Sequence, residues 1–519
     1  MTFRLLQGVM LMNKTKKLWT DAAVLTAGAL LLRCGGLLFQ VMLAERLEAE
    51  GLGLFQLILS VQALAMALAT SGIRYVVTRL VSEELGMDRP GGAVTILRRC
   101  FLLALVFSVS AGFLLTLLAG PASRALICDE RAAASLKILA FSLPFCSLTS
   151  VMGGYFTAVR RTYLSAAVQV FEQAAALAFT FFLFPASAAG RGAAEACRVV
   201  CLASVLADAS AFAVSAAVYV IDRRRTGTHG RPYPTRRIFL FGAPIAVTAW
   251  ARTALSTLKH LLIPAALRSS GASSARALAA YGTVQGMTFP VLAFPSALFY
   301  SLAEVLIPEL TEAQVRGDRA RVSGEVTRAL RISFVIAVCI AGVFLGYGRQ
   351  IGIALYGSGE AGSYIRVLSP YVILMYMDAV TDGMLKGLGE QLYSMAVNLA
   401  DAVLSLAAVH FIVPVFAVRG YLAIIFLSEL FNFSLSLLRL VKKADIGIRF
   451  AELFIPPLCA VGGISFSSLL LHLAGLGLSS APLSLSAHIL LACGIYLLLM
   501  LILSHARRDG QKKSPARRT

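Results

Sequence analysis

Fourteen apolar stretches, each about 20 residues long, recur from one end of this 519-residue chain to the other. A helix of about 20 apolar residues crosses the hydrocarbon core of a bilayer, roughly 30 Å thick. Within that core every backbone polar group must be bonded inside the protein, which leaves helices or a closed barrel. The stretches lie at 20–44, 53–72, 95–119, 135–157, 163–186, 196–220, 238–266, 279–306, 328–356, 363–385, 391–416, 419–441, 450–474 and 484–505. The chain is 58% hydrophobic and only 14% charged, with mean hydropathy +0.78. Soluble domains carry about 25% charged residues, so the solvent here is lipid. The expected fold is an all-α polytopic membrane protein of about 14 transmembrane helices.

An even number of crossings puts both termini on one side. With the N-terminal tail cytoplasmic, cytoplasmic segments hold 32 of the 47 Lys and Arg, external loops 11, and the spans four. This is the positive-inside pattern. It also accounts for the net charge of +20 as topology and attraction to anionic lipid, not nucleic-acid binding. The first residues are weakly apolar and precede Lys14, Lys16 and Lys17, the wrong order for a cleavable signal. Met12 is an alternative start. The segment 309–325 is charged and mildly amphipathic and is expected to form an interfacial helix.

The two halves of the chain resemble each other. Gly154–Glu172 aligns with Gly383–Asp401 at an offset of 229, pairing Gly154 with Gly383, Ser165 with Ser394 and Glu172 with Asp401. Gly53 and Gln56 match Gly282 and Gln285 at the same offset. After a one-residue slip, Ser71, Asp88 and Arg89 match Ser301, Asp318 and Arg319. The expected organisation is a tail (1–19), a first lobe of six helices (20–222), a basic linker (223–237), a pseudo-symmetric second lobe of six (238–441), two C-terminal helices (442–505) and a basic tail (506–519). Six crossings per lobe make the repeat parallel, as in transporters that rock one lobe against the other.

Four cations stand inside or at the ends of apolar spans: Arg33, Arg74, Arg252 and Lys259. Each costs roughly 2.5–3.5 kcal/mol at the middle of an inserted helix, so together they are expected to face a wet interior and to bind an anion. Gln40 lies two turns from Arg33 on the same helix face, and Ser256 shares a face with Arg252 and Lys259. Guanidinium forks suit phosphate oxygens, and a diphosphate fits two Arg and a Lys. Snorkelling to the interface is the alternative. Among the acidic residues in the spans, Glu172, Asp378, Asp382 and Asp401 are candidates for ion coupling or structural pairing; Lys386 stands one turn from Asp382. Pro244, Pro264, Pro290 and Pro295 are candidate hinges or kinks. The nine cysteines have no metal-ligand spacing and are read as small buried residues. There is no phosphate-binding Gly loop, catalytic triad or metal cluster, so no enzyme activity, cofactor or metal is expected.

Several motifs stand in a telling order: EAEGLGLFQL (Glu48–Leu57), SGIRYVVTRLVSEE (Ser71–Glu84), GYFTAVRRTYLSAAVQVFEQ (Gly154–Gln173), LKHLLIPAALRSSG (Leu258–Gly271), the run Met287–Ala313, and LKGLGEQ (Leu385–Gln391). Over nearly the whole chain this resembles the stage V sporulation protein B family, a polysaccharide-biosynthesis branch of the multidrug/oligosaccharidyl-lipid/polysaccharide exporter superfamily. The resemblance implies a multi-pass protein of the bacterial inner membrane, related to the lipid II flippase. It implies export of an undecaprenyl-diphosphate-linked cell-wall precursor during spore cortex synthesis. Lipid-linked oligosaccharide, membrane lipids and cell-wall synthesis enzymes are the implied partners. It also implies an arginine-lined cavity in which Arg33 and Arg74 match by span, while the relative's other-lobe arginine lies on span 8, not on span 7 with Arg252. With the slip, Glu304 stands where Arg74 falls in the repeat. The rival readings are a multidrug or cation antiporter of the same superfamily and a non-transporting scaffold.

Overall fold

Every regular element among the described residues of the computed structural model is helical. The description covers residues 31–70, 72–87, 91–184, 192–222, 233–446, 454–471, 473, 481 and 483–503. Side chains of the N-terminal tail, most of the basic linker and the C-terminal tail lie outside it, as do Ser71, Asp88 and Arg89 of the repeat.

The helices are α1 (Thr2–Thr70), α2 (Ile73–Gly86), α3 (Pro90–Ala122), α4 (Ala132–Ala140), α5 (Ser142–Ala158), α6 (Thr162–Leu183), α7 (Ala193–Arg223), α8 (Thr235–Ser269) and α9 (Ser274–Gly282). They continue with α10 (Phe289–Ala293), α11 (Ser296–Val315), α12 (Arg319–Tyr356), α13 (Gly359–Val367), α14 (Ser369–Gly387), α15 (Gln391–Ala444), α16 (Ala451–Leu473) and α17 (Pro482–Lys512). Among the described residues nine helices are long and apolar enough to cross a membrane, or eleven with each bent pair taken as one span. Two of the nine, Leu31–Gly86 and Gln391–Ala444, run 56 and 54 residues, about 80 Å at 1.5 Å per residue. That is far more than one crossing needs. Each contains a residue with non-helical backbone, Glu48 in α1 (φ 55°) and Ala417 in α15 (φ 51°). These two breaks fall where the sequence places the short connections between spans 1 and 2 and between spans 11 and 12. The pair α13 and α14 occupies the tenth apolar stretch. The architecture is all-α and polytopic, and consistent with fourteen crossings.

The chain packs as two compact units, Met1–Gly282 and Thr283–Thr519. In the first, α8 lies antiparallel to the second half of α1: Trp250 donates to the Ala67 carbonyl at 3.0 Å and Thr257 to the Ser60 carbonyl at 2.9 Å. The same unit packs α2 on α5, where Gly154 leaves no room for a Cβ, which would sit 2.7 Å from the Arg74 carbonyl oxygen. The second unit packs α11 on α14 by the same device. A Cβ on Gly383 would meet the Ala303 Cβ at 2.5 Å. The repeat thus survives as packing: matched glycines press on matched residues. The packing pairs Arg74 with Ala303 at the offset of 229, one residue short of the Glu304 that the slipped alignment gives.

Two expectations change. The segment 309–325 forms no separate interfacial helix. It is shared between the end of α11 and the start of α12, because Gly317 turns left-handed (φ 72°) and the Asp318 carboxylate caps α12 by accepting from the Arg321 amide at 3.0 Å. The prolines divide into two kinds. α8 runs on through Pro244 and Pro264, whereas the pair Ser274–Ala293 and Ser296–Val315, flanking Pro295, is bent by 54°.

Candidate functional site

All four span cations belong to the first unit. Arg33 is exposed on α1. Seven residues on, Gln40 is half-buried, and its Oε1 has no hydrogen-bond partner. Arg74 is the second residue of α2, which starts after left-handed Gly72 (φ 68°). Its guanidinium donates through Nη2 to the Ser165 hydroxyl of α6 at 3.0 Å and lies over Gly153 of α5, whose absent Cβ would be 3.6 Å from Cζ. The sequence marked Ser165 only as a repeat match. Its role as the hydroxyl that fixes Arg74 comes from a contact 91 residues away.

Arg252 and Ser256 are exposed and Lys259 is half-buried. At 100° per residue Arg252 and Lys259 lie on the side of α8 opposite Trp250 and Thr257, and so point away from α1, with Ser256 on the adjoining flank. Since Trp250 is level with Ala67 and Thr257 with Ser60, Arg252 stands midway along the packed pair and not at a helix end. Beside Lys259, the His260 Nδ1 and the Tyr281 hydroxyl are 3.0 Å apart. Near the start of α2, a Cβ on Gly72 would meet Ile245 at 2.8 Å, so α2 and α8 touch about two turns, roughly 10 Å, from Arg252. The cations therefore occupy three places: α1, the start of α2 beside α6, and one face of α8.

The carboxylates form a separate cluster in each unit. In the first, Asp208 of α7 lies near Glu172 of α6 and near Cys146 and Ser142 of α5. Gln62 of α1 donates to Ser142 at 3.2 Å. In the second, Asp382 is ion-paired with Lys386 at 2.7 Å and accepts from Ser394. Asp401 accepts from Ser428 at 2.6 Å and from Ser405 at 3.4 Å. Asn432 donates to Asn398 at 3.1 Å. One Asp378 oxygen and the Asn432 Oδ1 are buried without a partner. Asp382 is thus held by a fixed counter-ion, while Asp378 keeps an unused acceptor. Among the described residues no three His, Cys, Asp or Glu converge as metal ligands.

Ion pairs tie down the connecting segments. Asp222, buried at the end of α7, holds Arg161 from the α5–α6 connection and accepts from the Tyr155 hydroxyl at 3.1 Å. In the second unit Glu390, in the α14–α15 connection, holds Lys443 and Arg439 from the end of α15, both at 2.8 Å. Lys443 and Arg439 together lower the Glu390 carboxyl below its ordinary range.

Residues 18–314 match the family model described as polysaccharide biosynthesis protein. Stage V sporulation protein B of Bacillus subtilis (strain 168) is 21% identical over 500 residues, covering 95% of this chain and 96% of that protein. The lipid II flippase MurJ, in an inward closed conformation, superposes with a TM-score of 0.67 at 12% identity over 94% of this chain and 99% of its own. An inward-facing multidrug resistance MATE family transporter of the MOP superfamily gives 0.65 at 15% identity, over 80% and 96%. The fold is the one shared by these two membrane transporters. With more than half of its length matched by the family model, the chain belongs to the polysaccharide biosynthesis protein family.

Proposed function

We propose that this protein is a flippase for an undecaprenyl-diphosphate-linked cell-wall glycan precursor, acting in the bacterial inner membrane with both termini in the cytoplasm. The observation that carries the proposal is the cationic face of α8. Arg252 and Ser256 stand exposed at mid-span beside Lys259, where a bare guanidinium is costly and a diphosphate would offset its charge. Arg33 and Arg74 supply further forks for the phosphate oxygens, with Gln40 as a neutral donor. The polyprenyl tail stays in lipid while two lobes alternate access. Inside-negative potential, worth about 2.3 kcal/mol per charge per 100 mV, favours return of the empty cationic site. Glu172, Asp378 and Asp401 are the carboxylates open to ion coupling, whereas the Lys386 ion pair gives Asp382 a structural part. The kinship to a sporulation protein favours a role in spore cortex synthesis, alongside cell-wall synthesis enzymes.

The test is translocation of a lipid-linked glycan by the purified protein in vesicles. The proposal expects flipping that falls at least tenfold in an Arg33→Ala/Arg252→Ala double variant. Unchanged flipping in that variant would sink it, and efflux of cationic drugs without any lipid movement would favour the antiporter.

A further inference from the structure

We propose that Cys339 and Cys493 form a redox couple whose disulfide covalently locks the C-terminal helix α17 to α12. The two sulfurs lie 3.8 Å apart, about 1.8 Å more than a disulfide bond, and both side chains are half-buried. Register holds the pair together. To one side, the Tyr496 hydroxyl donates to the Val335 carbonyl at 2.9 Å. To the other, Tyr347 of α12 meets the His488 ring at 6.1 Å and the Ser467 hydroxyl of α16 at 2.8 Å. α12 and α17 therefore run antiparallel with contacts on both sides of the thiols, and neither sulfur can drift along the helices.

The packing also leaves room to react. A recess lined by Gly342, Ala460, Ile464 and Tyr496 opens onto both sulfurs. A side-chain rotation can use that space to close the gap. Both cysteines stand well inside their spans, so the oxidant must be soluble in the bilayer, and a quinone is the fitting chemical class. In the reaction two S–H bonds break and one S–S bond forms. Two electrons and two protons pass to the quinone, which becomes a hydroquinone. The bond would close a loop of more than 150 residues, the kind of long-range link that most restricts the unfolded chain. It would also fix α17, which stands outside the internal repeat, to the rest of the second unit.

The experiment uses the purified full chain, first reduced, then exposed to duroquinone or to diamide, a thiol oxidant that tests the geometry alone. Remaining thiols are capped with N-ethylmaleimide, and digests are read by mass spectrometry. The expected result is a Cys339–Cys493 linked peptide with both oxidants, absent in Cys339→Ser, together with a higher thermal midpoint that dithiothreitol reverses. Exposed Cys128 is the capping control. Full capping of Cys339 and Cys493 after both treatments overturns the proposal. A link formed with diamide but not with duroquinone overturns the quinone as oxidant. A linked form whose thermal midpoint equals that of the reduced protein overturns the lock.

Discussion

Gly53 and Gly282, matched positions of the internal repeat, meet each other backbone to backbone. A Cβ on Gly53 would lie 2.0 Å from the Leu278 carbonyl oxygen, and one on Gly282 would lie 2.2 Å from that of Ala49 and 2.9 Å from the Gly53 Cα. No rotamer relieves these clashes, because the opposing atoms are main chain. The second half of α1 can cross α9 this closely only where both helices lack side chains.

Either Gly53→Ala or Gly282→Ala should therefore force the helices apart, at a cost of about 1–3 kcal/mol, the usual range for overpacking. Thermal unfolding in detergent measures the loss. Gly36→Ala is the control: nothing lies within 4 Å of its Cβ position, and alanine favours a helix. Equal midpoints for the Gly53 and Gly36 variants would refute the close crossing.

The Arg161–Asp222 pair invites a double-mutant cycle. Asp222 is only 8% exposed, so Arg161→Ala leaves a buried carboxylate that keeps the Tyr155 hydroxyl but loses its counter-ion. The expected loss is roughly 1–3 kcal/mol. Arg161→Ala combined with Asp222→Asn should recover part of it, since the stranded charge is gone. Additive losses in the cycle would show that the two side chains do not interact.

Glu390 gives a pH signature. Its folded carboxyl titrates below the ordinary glutamate range because Lys443 and Arg439 hold the anion. Its contribution is thus fully present above the unfolded-state pKa and is lost as pH falls through the lower folded value. Wild type should be more stable than Glu390→Gln near neutral pH, and the difference should shrink to nothing in acid. A difference that persists unchanged at low pH would assign the effect to packing. The gain is modest, since both cations are more than a third exposed.

The sequence carried the crossings because hydropathy is a local property. It carried the repeat because close helix approaches leave glycines at fixed spacing, as at Gly154 and Gly383. What it could not carry were contacts between distant residues. By sequence Ser165 is a repeat match, and only the fold bonds it to Arg74; Cys339 and Cys493 stand 154 positions apart and meet only in the packed helices. α8 is continuous through Pro244, with the Thr248 hydroxyl bonded back to the Pro244 and Ile245 carbonyls. The left-handed turn at Gly317 divided a charged segment whose composition alone suggested one helix.

The difference between Arg74 and Arg252 yields the most direct test of the proposed site. Arg74 is anchored by Ser165, so Arg74→Ala removes both a candidate phosphate ligand and a link between α2 and α6. It should lower the thermal midpoint as well as transport. Arg252 is exposed on the face of α8 turned from α1, so Arg252→Ala should leave the midpoint unchanged while reducing glycan-lipid flipping tenfold or more. Arg252→Lys should restore part of that activity, because the charge returns without the bidentate fork. A Ser165→Ala variant separates the two roles of Arg74: the charge stays and the anchor goes, so the midpoint should fall slightly while the rate holds. If Arg252→Ala instead unfolds the protein, or flips lipid at the wild-type rate, the cationic face of α8 is not where the headgroup binds.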